Sequence, residues 1–179
     1  VAALSVLDVL LLRPINEGDD KGERLKWAGL RRQWAGSGNS LLLGDNMVLL
    51  RAVGAAEYTN TQNKLEKFCF DNGLRHKALV EIRKLRLQLT NEIKANMPEA
   101  ELVVDPQLAP PTDLQAKLLR QILLSGMGDQ IAKKIGEEEA EDRVKFKYGY
   151  HANNMEEPVF LHSGSVLRKT LPEFVVYQE

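Results

Sequence analysis

The chain has 179 residues, with 24 Lys and Arg against 25 Asp and Glu, a formal net charge of −1. A hydrophobic share of 44% and a charged share of 27% describe a globular chain with a real core, enough for one ordinary domain or two small ones. Near-neutrality excludes a globally electrostatic nucleic-acid binder and leaves that role to local patches, and the single Cys69 excludes an internal disulfide.

Val1 to Leu12 is apolar almost throughout and reads as a buried helix. It is too short to span a membrane and lacks the basic start and cleavage site of a signal peptide. With no initial methionine, it reads as the interior of a longer chain. Residues 13–39 turn polar and glycine-rich. Leu25, Trp27, Leu30 and Trp34, with Arg31 and Arg32, fit a short helix or a docking segment, or equally a surface loop with pinned tryptophans.

Leu41 to Tyr58 predicts a buried helix, starting near Gly44 and Asp45 and apolar nearly all round. Arg51 is its mid-helix charge and must either snorkel to the surface or meet an acidic partner. Phe68, Cys69 and Phe70 read as core anchors, with Cys69 a small buried apolar group.

The organising stretch is Leu74 to Asn96. Leu74, Ala78, Ile82, Leu85, Leu89 and Ile93 recur at intervals of three and four, one stripe down an α-helix that buries a face. Asp71, Asn72 and Gly73 offer caps before it, and Pro98 stops it. A neighbouring row carries Arg75, Arg83, Arg86 and Lys94, and the segment holds a surplus of four positive charges. Such a row is either a solvated face or a phosphate-facing edge.

Residues 98–111 form a proline-punctuated connection, after which Thr112 and Gln115 make a capping-box pattern for a helix over Asp113 to Leu124. Gln130 to Ile135 reads as a further helical turn or two, and the acidic run from Glu137 to Asp142 as a solvated linker. The period then becomes two: Val144, Phe146, Tyr148 and Tyr150 alternate with Lys145 and Lys147. Val159 to His162 and Phe174 to Tyr177 are two more β-rich runs bounded by prolines. The order is helices, then a small β-domain, with a boundary near residue 140.

There is no phosphate-binding loop, dinucleotide glycine fingerprint or metal-spaced His and Cys set. His162 and Ser163 are adjacent, which on a strand puts them on opposite faces and disfavours a dyad. The chain by itself carries no catalytic constellation.

Several stretches taken in order resemble one family. They are GDNMVLLRAV from Gly44; Cys69, Asn72 and Leu74; Arg86, Gln88 and Leu89; Leu119, Arg120, Leu123 and Gly126; then His162, Ser165, Leu167, Phe174, Val175, Tyr177 and Glu179. This order is similar to the C-terminal helicase-associated region of the DEAH-box RNA helicases, over about residues 41–179, and its wording is closest to the nucleolar small-subunit ribosome-biogenesis branch. Ser163 stands where the family has a proline, and Gly164 where it has a serine.

The resemblance implies an α+β fold. Residues 1–40 would end a winged-helix region and add a connection, 41–140 would form a ratchet-like helical bundle, and 141–179 the first strands of an incomplete OB-type β-barrel. It implies an auxiliary role beside ATPase lobes that hold ATP and magnesium, in a nucleolar or nuclear helicase acting on pre-rRNA or small nucleolar RNA. The implied partners are single-stranded RNA, those ATPase lobes and an activator protein of the pre-ribosome, with no membrane. Arg83, Arg86 and Lys94, with Arg120, Lys145 and Lys147, are the candidate phosphate contacts. Tyr148 or Tyr150 could stack a base, although the alternation makes both core residues first. The competing expectation is a protein-docking scaffold with little RNA contact, supported by near-neutral charge and the tryptophan segment.

Overall fold

The computed structural model describes residue 18, residues 20–102, residues 105 and 107, and residues 109–136 and 147–178. The expected helix over 1–12, the acidic run 137–142, Val144, Lys145 and Phe146 lie outside the described residues. The chain divides into two compact units, one holding Asn46–Pro110 with the chain up to Trp34, the other Ala35–Asp45 with Pro111–Glu179.

The first unit is helical: α1 (Lys21–Ala35), α3 (Asp45–Thr61, its first residue in the other unit), α4 (Leu65–Asp71) and α5 (His76–Asn96). Its core joins Leu49, Ala52, Val53 and Ala56 of α3 to Leu65 and Cys69 of α4 and to Leu74, Leu79 and Ile82 at the head of α5. Burial pushes the Cys69 thiol up, so this cysteine is a packed apolar group and not a thiolate nucleophile. The predicted stripe is buried only at its N-terminal half. Leu74, Ala78 and Ile82 are buried, Leu85 and Leu89 are half-buried, and Ile93 is exposed.

The expected cap of α5 is absent. Arg75 is its N-cap and no side chain caps it. Asn72 instead donates from Nδ2 to the Phe68 carbonyl at 2.9 Å, closing the end of α4. Gly73 follows at φ +63, and an added Cβ there would lie 2.7 Å from Trp27 Cε3. Trp27 is buried, so the tryptophan segment is a short helix with this ring packed and not a surface loop. Among the described residues Arg51 meets no acid. Its Nη1 donates to the carbonyls of Trp34 at 3.1 Å and Gln33 at 3.4 Å, satisfying the free C-terminal carbonyls of α1 where a cation is favoured. Phe70, expected in the core, is 83% exposed on the far side of α4.

Among the described residues, the second unit combines α2 (Gly38–Leu42), α6 (Asp113–Gly126) and a four-stranded open sheet. Thr112 and Gln115 form the predicted capping box in full: Thr112 Oγ1 accepts from Gln115 N at 3.2 Å and Gln115 Oε1 accepts from Thr112 N at 2.9 Å. Asp113 accepts from the Asn39 backbone N–H at 3.0 Å and from its Nδ2 at 2.7 Å, joining α6 to α2. These bonds hold the Asp113 carboxyl below the usual carboxylate value.

The strands are β1 (Ile131–Lys134), β2 (Gly149–Ala152), β3 (Val159–Phe160) and β4 (Phe174–Val176), in the antiparallel order β3-β2-β1-β4. The segment read as helical turns over Gln130 to Ile135 is therefore strand β1. Six residues are too few for periodicity to decide, and ladder bonds on both sides settle it. One sheet face buries Ala132, Tyr150, Ala152 and Val175, with Val159, Leu161, Leu167, Leu171 and Tyr177 against them. Tyr150 donates its hydroxyl to the Pro172 carbonyl at 2.9 Å, and burial raises its pKa. The fold is α+β, helices followed by an incomplete OB-like sheet.

Candidate nucleic-acid interface

Position along a helix decides which of the predicted cations can act together. Arg83 and Arg86 sit three residues apart on α5, so their side chains leave neighbouring points of one face. Glu57, on α3, meets both. Its Oε1 lies 3.0 Å from Arg83 Nε and 3.9 Å from Arg86 Nη1. Glu57 is mostly covered, at 18% exposure, while Arg83 and Arg86 keep 45% and 36%. A fixed carboxylate thus orients two guanidinium groups whose outer edges remain open to an anion. Guanidinium is a planar fork suited to carboxylate and phosphate alike, so Glu57 both positions the pair and competes with a phosphate for it.

Lys94 is exposed in the last turn of α5, where the helix dipole favours a cation. Lys84, outside the predicted row, pairs with Glu81 at 2.9 Å on the exposed surface, and Arg75 is exposed at the other end of the helix.

The remaining predicted cations lie in the second unit. Arg120, on α6, is half-buried and donates from Nη1 to Asn39 Oδ1 at 2.9 Å. It completes the Asn39–Asp113 network, a structural role that takes up part of its donor set. Lys147 is exposed, with Nζ 5.4 Å from the centre of the Tyr148 ring. Lys145 lies outside the described residues. Tyr148 is exposed and available to a ligand, whereas Tyr150 is core.

Lys147 and Tyr148 border an open cleft of about 460 Å³, whose lining also includes Lys133, Lys134 and Glu173. Lys133 and Lys134 are further cations whose place is set by strand β1 and not by the helical turn expected over Gln130 to Ile135. The doublet beside isoleucines gave no sign of this.

Among the described residues, no group of three or more His, Cys, Asp and Glu side chains is placed to hold a metal. His162 Nδ1 accepts from the Gly164 backbone N–H at 3.1 Å in a turn, which engages that nitrogen locally. No helix among the described residues is long and apolar enough to cross a membrane.

Residues 119–179 match the family described as the oligonucleotide/oligosaccharide-binding (OB)-fold. The chain is 55% identical over 183 residues to the probable ATP-dependent RNA helicase kurz of Drosophila melanogaster, covering 100% of this chain and 15% of that protein. It is 48% identical over 186 residues to the probable ATP-dependent RNA helicase DHX37 of Homo sapiens, covering 100% of this chain and 16% of that protein. The chain thus corresponds to a small part of the relatives it matches.

Proposed function

We propose that this chain, which belongs to the C-terminal helicase-associated region of the DEAH-box RNA helicases, holds single-stranded RNA by its backbone and regulates the ATPase lobes of such a helicase. The observation that carries the reading is the Arg83–Arg86 pair, oriented by one carboxylate and open on its outer side. Lys94 on the same helix and Lys147 beside the cleft supply further phosphate contacts. Contacts of this kind bind without reading bases, which suits a device that must let RNA slide. In this reading ATP and magnesium act on the ATPase lobes and not on residues of this chain. The RNA is pre-rRNA or small nucleolar RNA, the setting is ribosome biogenesis in the nucleolus, and an activator protein of the pre-ribosome is a further partner.

One observation favours a second reading, a protein-docking scaffold. Leu114, Leu118 and Ile122 form a stripe on α6 and are exposed at 66%, 48% and 64%. Trp27 of the tryptophan segment is buried and contributes no exposed ring to such a surface. Charge reversal separates the two readings. With Arg83→Glu and Arg86→Glu together, oligouridine affinity falls at least ten-fold if the pair faces phosphate. Unchanged RNA affinity with lost binding to a pre-ribosomal protein would establish the scaffold instead.

A further inference from the structure

Positive charge in the helical unit gathers on two of its helices, α5 and α1. Over its 15 residues α1 carries Lys21, Arg24, Lys26, Arg31 and Arg32 against Glu23. The helical period puts Lys21, Leu25, Ala28 and Arg32 on one face, with Arg24 and Gly29 at its two borders. All six are exposed, while the opposite face carries the buried Trp27 and the half-buried Leu30 and Trp34. Among the described residues, no acidic side chain lies within ion-pair distance of Lys21 or Arg24, whereas Arg83, Arg86 and Lys84 of α5 are all paired.

Gly29 marks the middle of this face. Glycine is a poorer helix former than alanine, and packing does not call for it here, since an added Cβ would have nothing within 4 Å. With Ala28 beside it, Gly29 gives the face low relief between cations at its two ends. Low relief of this kind lets another backbone approach closely.

Lys21 and Arg32 are separated by about 16 Å along the helix axis. The ends of the face can thus reach phosphates on both edges of a groove while the low middle lies over it. A-form RNA offers that surface: its minor groove is wide and shallow, and the duplex is recognised by shape and backbone. A single strand would want rings to stack on, and both tryptophans of α1 lie on the other side. A protein interface draws on a cluster of large anchors, and this face has Leu25 alone, at 64% exposure, beside Ala28 and Gly29.

We propose that the exposed face of α1 binds the phosphate backbone of double-stranded, A-form RNA through Lys21, Arg24 and Arg32. This goes beyond the single-strand reading of α5 and stands on different residues.

The test uses the full 179-residue chain with a labelled RNA duplex of about 16 base pairs, beside labelled oligouridine. Lys21→Glu and Arg24→Glu together are expected to lower duplex affinity about ten-fold or more and to leave oligouridine affinity within about two-fold. Lys21→Gln with Arg24→Gln should make the slope of log duplex affinity against log salt shallower by about 1.8. Gly29→Gln should weaken duplex binding about five-fold while raising the thermal midpoint, a pairing that a purely structural role for Gly29 does not produce. Unchanged duplex affinity in the Lys21→Glu, Arg24→Glu variant, or no duplex binding by the folded chain at the lowest salt, overturns the proposal. Unchanged duplex affinity with lost binding of polyglutamate, an acidic-peptide probe, overturns it in favour of a protein partner. An equal loss for duplex and oligouridine overturns it as well, by placing α1 on the path of the single strand.

Discussion

Replacing Glu57 by Gln is the sharpest probe of the arginine pair. Glu57 holds Arg83 Nε at 3.0 Å and lies 3.9 Å from Arg86 Nη1. Glutamine keeps the size and a hydrogen-bond acceptor but removes the negative charge. Because Arg83 is nearly half exposed, the pair is worth about 0.2–1 kcal/mol, and the folded chain should lose no more than that. A phosphate that takes these arginines must overcome the same attraction. Removing it should therefore raise RNA affinity by a factor of about 1.4–5. In the wild type, a displaced Glu57 carboxylate gathers a cation from solution and offsets part of the counterion release. The variant should accordingly show a salt slope steeper by up to about 0.7. The assay is fluorescence anisotropy with labelled oligouridine at several salt concentrations, beside a thermal melt. Equal or weaker RNA binding by a folded Glu57→Gln chain would refute competition, leaving Glu57 as a structural partner alone.

Three stability predictions follow from the packing. Ile82→Ala, at a fully buried site, should cost about 2–5 kcal/mol, whereas Ile93→Ala on the exposed end of the same stripe should cost under about 0.5 kcal/mol; urea unfolding of both tests where the stripe ceases to be core. Gly73→Ala should destabilise by about 1 kcal/mol or more, since the residue sits at φ +63 with Trp27 in the path of a Cβ, and tryptophan fluorescence should shift with it. Tyr150→Phe should cost about 1 kcal/mol near neutral pH through its lost bond to Pro172. The Tyr150 pKa is raised above its usual value of 10.0, so the unfolded chain loses that proton first. Stability therefore falls as pH rises past 10.0, and the phenylalanine variant should lack that part of the alkaline loss.

How much of this was readable beforehand varied with the range of the interactions. The α5 helix, the start of α3 at Asp45 and the capping box at Thr112 rest on contacts within a few residues, and sequence spacing exposed them directly. The turn at Asn72 and Gly73 misled because Asn72 serves the helix before it, not the one after. Strand β1 exists only because β2 and β4 flank it, partners drawn from residues 149–176. Asn39 meets Asp113 and Arg120 across 74 and 81 positions, and no local pattern marks such a pairing. The candidate interface followed the same division. A row of basic residues down α5 was visible from its period, but that Glu57 sits against Arg83 and Arg86 depends on how α3 and α5 pack. That Lys133 partners His151 and Phe174 depends wholly on register, which single-strand alternation does not encode.

The central claim is that this chain grips RNA through a small number of phosphate contacts. Its most direct test is the affinity of the chain for labelled single-stranded oligouridine, measured from low to moderate salt. Two to four contacts predict a straight line of log affinity against log salt with a slope of about −1.4 to −2.8. Absence of binding by the folded chain at the lowest salt, or binding that ignores salt, would contradict it.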